Sequence, residues 1–243
     1  MILADARHRL SREDAQLAVH LLARDSSDEL ERVEQLLVDE GLDTILDDER
    51  LPTALLRSRH GARASLPLFI YVMVRHALLR AGERDRALSD YLAAMMLAFG
   101  VRGRSERVSE ADDEIYDTLV SLLDGVNDSD PRRAFLVRVH LGNRALWIAG
   151  LYPDYVEQRK WRRGGPDLGY FEDLGRRGFE LAAEHRIAEQ YGMSEVYANV
   201  AARFGLLRVA LNSLSDSLLF PNVNTPERLM RQVSDEFRWK LAG

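Results

Sequence analysis

The chain contains no cysteine, which removes disulfides, thiolate metal ligands and cysteine nucleophiles at once. Lysine is almost as scarce. Only Lys160 and Lys240 occur, and arginine supplies the rest of the 33 basic side chains. A Schiff-base lysine therefore has no good candidate, and a phosphate-binding P-loop is excluded because neither lysine follows glycine or precedes serine or threonine. Long apolar runs are missing too. Residues 64–74 and 91–101 are the longest uncharged stretches, well short of the roughly 20 residues that cross a bilayer. Asp5, Arg7, His8 and Arg9 interrupt the start of the chain, so no secretory leader is expected and a cytoplasmic location is. No repeat of solenoid length recurs. Neither a Gly-x-Ser-x-Gly elbow nor a His-Glu-x-x-His zinc motif is present. We expect no cofactor, no metal and no membrane association.

At 243 residues and 46% hydrophobic, the chain can bury a substantial core. Its pattern is helix after helix. Ser11 precedes an acidic first turn, and Ser26 with Glu29 stands at capping-box spacing before Leu30, Val33, Leu36 and Leu37. Ser65 and Pro67 open a segment that is apolar nearly all round and interrupted only by Arg75 and His76, as expected of a central helix with paired polar groups. Asp85, Ser109, Asp130 and Ser194 mark further starts. The reading is an all-α bundle of about ten helices without a sheet, as a single domain 1–243. The alternative is two packed subdomains, 1–100 and 109–243, joined by an Arg/Gly/Ser loop.

The string Asp43-Thr-Ile-Leu-Asp47-Asp48, followed by Glu49, resembles the first acidic motif of squalene-synthase-type prenyl-transferring enzymes. That resemblance implies carboxylates one helical turn apart holding magnesium against a diphosphate. Asp112, Asp113, Glu114 and Asp117 form a second acidic stretch. Both also suit solvated turns and helix first turns.

The centre of interest is 135–191. On the helix 131–150, His140, Asn143 and Arg144 share the side marked by Phe135, Leu136, Val139, Leu146 and Trp147. Arg133 and His140 also resemble the Arg and His pair of HEPN-type RNases, an all-α family. The resemblance implies metal-free polarisation of a scissile phosphate. A basic turn follows, with Arg159, Lys160, Arg162 and Arg163 running into Gly164, Gly165, Pro166 and Asp167. Free amides at a helix start beside arginine forks would suit a phosphorylated ligand or RNA. The net charge of −6 disfavours a broad nucleic-acid surface but not a small basic site.

Beyond the turn, Gly169, Gly175 and Gly178 lower helix propensity and call for close helix packing. Glu180, Glu184, His185 and Glu189 lack the paired Glu-x-x-His motifs of a di-iron site, and His185 with Glu189 reads as an intrahelical pair. Arg208, Asn212 and Asp216 form a polar stripe on a long helix from Ser194, which we expect to face His140 and Arg144. Leu229, Val233, Phe237 and Leu241 line one row of a last helix, expected to close the core or to dock a second subunit.

The candidate ligand-binding set is thus His140, Asn143, Arg144, Arg162, Arg163, Gly164, Gly165, Arg208, Asn212 and Asp216. The functional expectation is a regulatory or scaffold module that binds a protein partner or itself through 226–241. The alternative is a phosphorylated-ligand or RNA-handling protein using turn 159–167 and the polar face of 131–150.

Overall fold

The computed structural model of the protein describes residues 1–24, 26–101, 103–109, 115–116 and 118–242, the last six as backbone only. Among these residues the chain is all-α, with fourteen α-helices and no strand. The excess over ten comes from helices of five to seven residues, too short to show periodicity, and from one long helix that is broken. The chain divides into two compact units, Ile2–Ala98 and Phe99–Gly243, with Met1 counted in the second.

The first unit holds α1 (Arg12–Ala23), α2 (Ser27–Glu40), α3 (Leu42–Leu46), α4 (Leu51–Arg57), α5 (Leu66–Arg80) and α6 (Arg86–Phe99). Ser11 and Asp14 form a reciprocal capping box on α1. Ser26 accepts the Glu29 amide, but the Glu29 carboxylate turns to Arg50 at 2.7 Å, so only half a box forms on α2. Ser65 caps α5, whose Tyr71, Val72, Val74 and Leu78 are fully buried. Arg75 and His76 are paired within this apolar helix, as burial requires. Arg75 clamps Asp47 with two bonds of 2.8 and 3.0 Å, and the His76 Nε2–H donates to the Leu46 carbonyl at 2.9 Å. Burial lowers the His76 pKa, against the opposing pull of the Leu46 hydrogen bond.

The acidic string is consumed in the same way. Asp47 also takes Arg86 at 2.7 Å, Asp43 takes Arg7 at 2.6 Å, and Asp48 takes Arg50 at 2.7 Å. These carboxylates face guanidinium groups, which hold their charge as a magnesium ion would in the enzymes whose motif they resemble. The second acidic stretch, Asp112, Asp113, Glu114 and Asp117, lies outside the described residues.

The second unit contains α7 (Leu119–Leu123), α8 (Pro131–Leu151), α9 (Pro153–Arg163), α10 (Leu168–Ala183), α11 (Arg186–Gln190), α12 (Ser194–Ala202), α13 (Phe204–Leu214) and α14 (Pro226–Ala242). Thr118, not Ser109, caps the helix that holds Leu119 and Leu122. The long helix expected from Ser194 breaks at Arg203, and after α13 the backbone widens into a π turn over Ser215–Leu219. His185 does not pair with Glu189 inside a helix. It follows the end of α10 and caps α11 by accepting the Ile187 amide at 3.1 Å, with its ring stacked on Phe135.

The centre of this unit is α8, which packs against α10 and α13. Two glycines of α10 make the approach possible. A Cβ on Gly178 would stand 2.8 Å from the Arg138 carbonyl and 2.9 Å from the Gly142 nitrogen. One on Gly175 would lie 2.3 Å from the Phe204 ring. Gly169 meets only the Asp167 side chain, at 3.3 Å. Because Gly178 faces backbone that cannot yield, Gly178→Ala should destabilise the second unit by about 1–3 kcal/mol. Gly169→Ala, with better helix propensity and a movable neighbour, should change stability by under about 1 kcal/mol. All three tryptophans, Trp147, Trp161 and Trp239, lie in this unit, so urea titration followed by their fluorescence reads the difference directly.

Candidate functional site

Two groups of polar residues expected to meet lie at different places along α8. His140, Asn143 and Arg144 belong to its middle, all buried at 2–6% exposure. Arg144 donates to the Tyr116 carbonyl, Arg133 donates to the Tyr116 hydroxyl at 2.9 Å, and Arg133 Nε approaches Asp128 at 3.4 Å. The two arginines hold Tyr116 at both ends against α8. This polar face therefore ties down the segment that precedes the helix.

His140 is 3% exposed, its Nε2 has no hydrogen-bond partner, and its ring centroid lies 5.5 Å from that of Phe99. Burial first, then the charges of Arg144 and Arg104, push its pKa down to about 3. A lowered pKa leaves the ring mostly neutral at neutral pH, the state that accepts rather than donates a proton, and Arg133 is engaged with Tyr116 and Asp128. Of the pair that resembles the HEPN arrangement, His140 is buried and Arg133 half-buried on the same helix.

The second group, Arg208, Asn212 and Asp216, meets α8 at its C-terminal end and turns otherwise toward α14. The amide of Asn212 donates to the carbonyls of Ala149 and Gly150, each at 2.7 Å, and the Ser215 hydroxyl donates to that of Leu151 at 2.7 Å. Side chains from α13 and the π turn thereby satisfy three consecutive end carbonyls that α8 itself leaves unpaired. Arg208, 2% exposed, reaches Glu172 on α10 at 2.5 Å, Asn212 at 2.6 Å and both oxygens of Asp235 on α14 at 2.6 and 3.1 Å. Burial alone would lower its pKa, but Asp235 and Glu172 outweigh that and raise it. Its positive charge is permanent.

The pattern continues along α14. Arg231 pairs with Asp216 at 2.8 Å and with Asp154, at the start of α9, at 3.4 Å. Arg228 pairs with Asp154 through two nitrogens and donates to the Phe220 carbonyl at 2.7 Å. Arg228, Arg231 and Asp235 are buried to 7% exposure or less. Their spacing of three and four puts them on one side of α14, so the helix lies on the body through a charged stripe. The described members of the apolar row face out. Leu229 is 57% exposed, Met230 67% and Val233 52%, while the side chains of Phe237 and Leu241 lie outside the described residues. The expectation that this row closes the core is corrected, because the buried charges of α13, α9 and α10 need the arginines and Asp235 of α14 as partners.

Beside the row stands Trp161 on α9, 66% exposed. It shares a recess of about 230 Å³ with Lys160, Asp167, Glu227 and Met230. On the other side of α14, against α13, lies a recess of about 650 Å³ bordered by Asp216, Gln232, Asp235 and Glu236. Sequence reasoning missed Met230 and Trp161 as surface features. The signal was available in the arginines at 228 and 231 and the aspartate at 235, which form a charged row opposite the apolar one.

The basic turn differs from its expected form. Gly164 adopts φ 61° and ends α9, its amide donating to Lys160, while the Gly165 amide donates to the Arg159 carbonyl at 3.4 Å. Asp167 caps α10 by accepting the Tyr170 amide at 3.0 Å and lies 3.7 Å from Lys160. The glycine amides and the Asp167 carboxylate thus serve the helix ends. Arg162 and Arg163 remain exposed beside Trp161.

The buried His140 has a measurable consequence. Its folded pKa lies below the unfolded value of about 6.5, so the unfolded chain takes up the proton first. Stability is at its full value above pH 6.5 and falls as pH drops toward 3, by at most about 1.4 kcal/mol per unit from this one group. His140→Phe, which removes the orphaned nitrogen and keeps an aromatic ring near Phe99, should flatten that slope. Urea midpoints by tryptophan fluorescence at pH 7.5, 5.5 and 4.5 test it, and parallel slopes for wild type and variant would count against a buried neutral ring.

Family models, curated proteins and solved structures were all compared with this chain, and none matches it.

Proposed function

We propose that the protein is an interaction module that docks a macromolecular partner through the outer face of α14 and the adjoining end of α9. One observation carries the reading. The last helix is bound to its body by a charged row and presents Leu229, Met230 and Val233 outward beside the exposed Trp161. Single exposed apolar residues are ordinary, but several on one face are the usual mark of an interaction surface. Tryptophan and methionine are also over-represented where proteins meet.

Photo-crosslinking tests this on the protein as it is. A benzophenone attached at position 233 should yield crosslinked species in a cell extract, whether to another protein or to a second copy. The same probe at Val38, 78% exposed on α2 of the first unit, should yield far fewer. Equal yields at the two positions would end the reading.

A second reading rests on Trp161 standing exposed between Lys160 and the pair Arg162 and Arg163. Stacking on an aromatic ring beside arginines is how single-stranded nucleic acids are held. In this reading the protein is a phosphate- or RNA-binding sensor using turn 159–167, with no strand scission at His140. Fluorescence anisotropy with a short labelled RNA, at two salt concentrations, should show binding that weakens with salt and is lost in the Arg162→Ala/Arg163→Ala double variant. Equal titrations for wild type and variant would remove the basic turn from consideration.

A further inference from the structure

We infer that His20 and His60 form a binding site for a divalent transition-metal ion of the zinc, nickel and copper class. Both residues belong to the first unit, so the site is independent of the docking reading. His20 stands exposed in the last turn of α1, and His60 is half-buried in the short 3-10 turn Arg59–Arg63 between α4 and α5. Their ring centroids lie 4.9 Å apart, with the planes tilted by 54°. Two imidazole nitrogens bound to one ion at about 2.0–2.1 Å, at an angle near tetrahedral, set the ring centres roughly 5 Å apart. The observed spacing matches, so side-chain rotation is the most that binding asks of the two elements.

Backbone packing holds the pair in place. Helix α1 packs against both α4 and the 3-10 turn. The residue after His60 is Gly61, where a Cβ would stand 2.0 Å from the Leu55 carbonyl oxygen. The turn therefore lies against α4 at a distance that only glycine allows. The Ser58 hydroxyl accepts the His60 amide at 3.1 Å and fixes the start of the turn. Ligands carried on such fixed elements lose little conformational freedom on binding. The other histidines are placed differently. His76 is bonded to the Leu46 carbonyl, His140 is buried, His185 caps α11, and His8 is exposed in the turn that precedes α1.

The surroundings decide which ions qualify. Among the described residues no set of three His, Asp or Glu side chains is placed to hold a metal, so two imidazoles are what the chain supplies and water fills the remaining positions. Arg57, Arg59 and Arg63 flank His60 in the sequence, and Arg24 follows His20 by one turn. Their charge opposes any cation held by attraction to oxygen ligands alone, which sets magnesium and calcium aside. Zinc, nickel and copper bond to neutral imidazole itself. Once bound, the ion links the end of α1 to the connection between α4 and α5. It binds the native state alone, because the two rings meet only when the unit is folded.

Copper(II) is the probe, because pulsed electron paramagnetic resonance counts the imidazoles bound to it. One equivalent added to the purified protein should give a spectrum coupled to two imidazoles. His20→Ala and His60→Ala should each weaken copper binding by at least tenfold and leave coupling to one imidazole at most, whereas His8→Ala should change neither. Zinc should displace the copper, and a tenfold excess of magnesium should not. Zinc should also raise the melting temperature of the wild-type protein by a few degrees and leave that of the two variants unchanged. Far-ultraviolet circular dichroism checks that the variants fold, and His60→Gln, which keeps a polar side chain of similar length, takes the place of His60→Ala if that variant does not. Equal copper affinity in wild type and either variant would overturn the site, as would a wild-type spectrum with fewer than two imidazoles. Zinc stabilisation that persists with both histidines replaced would do the same.

Discussion

The second unit depends on one buried cation. Arg208 sits at the junction of α10, α13 and α14, and its guanidinium can keep its charge away from water only because Glu172, Asp235 and Asn212 all accept from it. A charge in such a place is costly unless paired and fully hydrogen-bonded. The pairing sets what its neighbours must be. Asp235 has to lie inward on α14, so the residues four and seven positions before it, one and two turns back on the same side, lie inward too. Those are Arg231 and Arg228. Each then requires a carboxylate, and Asp216 and Asp154 provide them. Three arginines face four carboxylates in one connected network, counting Arg208, Arg228 and Arg231 against Asp154, Glu172, Asp216 and Asp235.

Such a network does not add stability in proportion to its contacts, since desolvation offsets most of the attraction. What it provides is orientation. An apolar helix face can slide on an apolar surface at little cost, whereas bidentate guanidinium pairs fix both the rotation and the register of the helix that carries them. The other end of the system is equally specific. Asn212 and Ser215 close off the last carbonyls of α8, so the stripe that receives α14 is itself anchored to the central helix. The same logic governs the first unit, where Asp47 holds both Arg75 and Arg86 and spaces α3, α5 and α6. Arginine, almost the sole cation of this sequence, suits both places because it never loses its proton and bonds in a plane.

This also explains which parts of the structure were legible in the sequence. The helical class and the caps at Ser11, Ser65 and Asp130 followed from local periodicity and side-chain chemistry, which act within a turn or two. The close approach of α8 and α10 was foreshadowed by Gly175 and Gly178, whose cost to a helix demands a reason. The arginine and aspartate stripe of α13 was visible as a stripe, but its partners were not. Periodicity shows that residues share a face and says nothing of what that face meets. His140 and Arg144 were expected to face the stripe of Arg208, Asn212 and Asp216. The choice was settled by tertiary position, with Tyr116 taking Arg144 and α14 taking Arg208. The glycines after Arg163 were ambiguous for a different reason, since a helix end and an anion site need the same free amides, and here the helix ends took them. The outward placing of Leu229 and Val233 on α14 was the largest surprise, because a row of Leu and Val at helical spacing is normally assigned to the inside.

Magnitudes show why that assignment fails. Turning α14 by half a revolution would bury Leu229, Met230 and Val233, a gain of up to about 2 kcal/mol each if burial were complete. It would also strip Arg208 of Asp235, Asp216 of Arg231, and Asp154 of both arginines. Removing one partner from a buried pair costs about 3–5 kcal/mol, because the charge left behind has nowhere to go. Three such losses exceed three such gains. The helix is therefore held with its apolar row outward by charges that belong to other helices, and the free energy that this row could yield on burial remains unused within the chain.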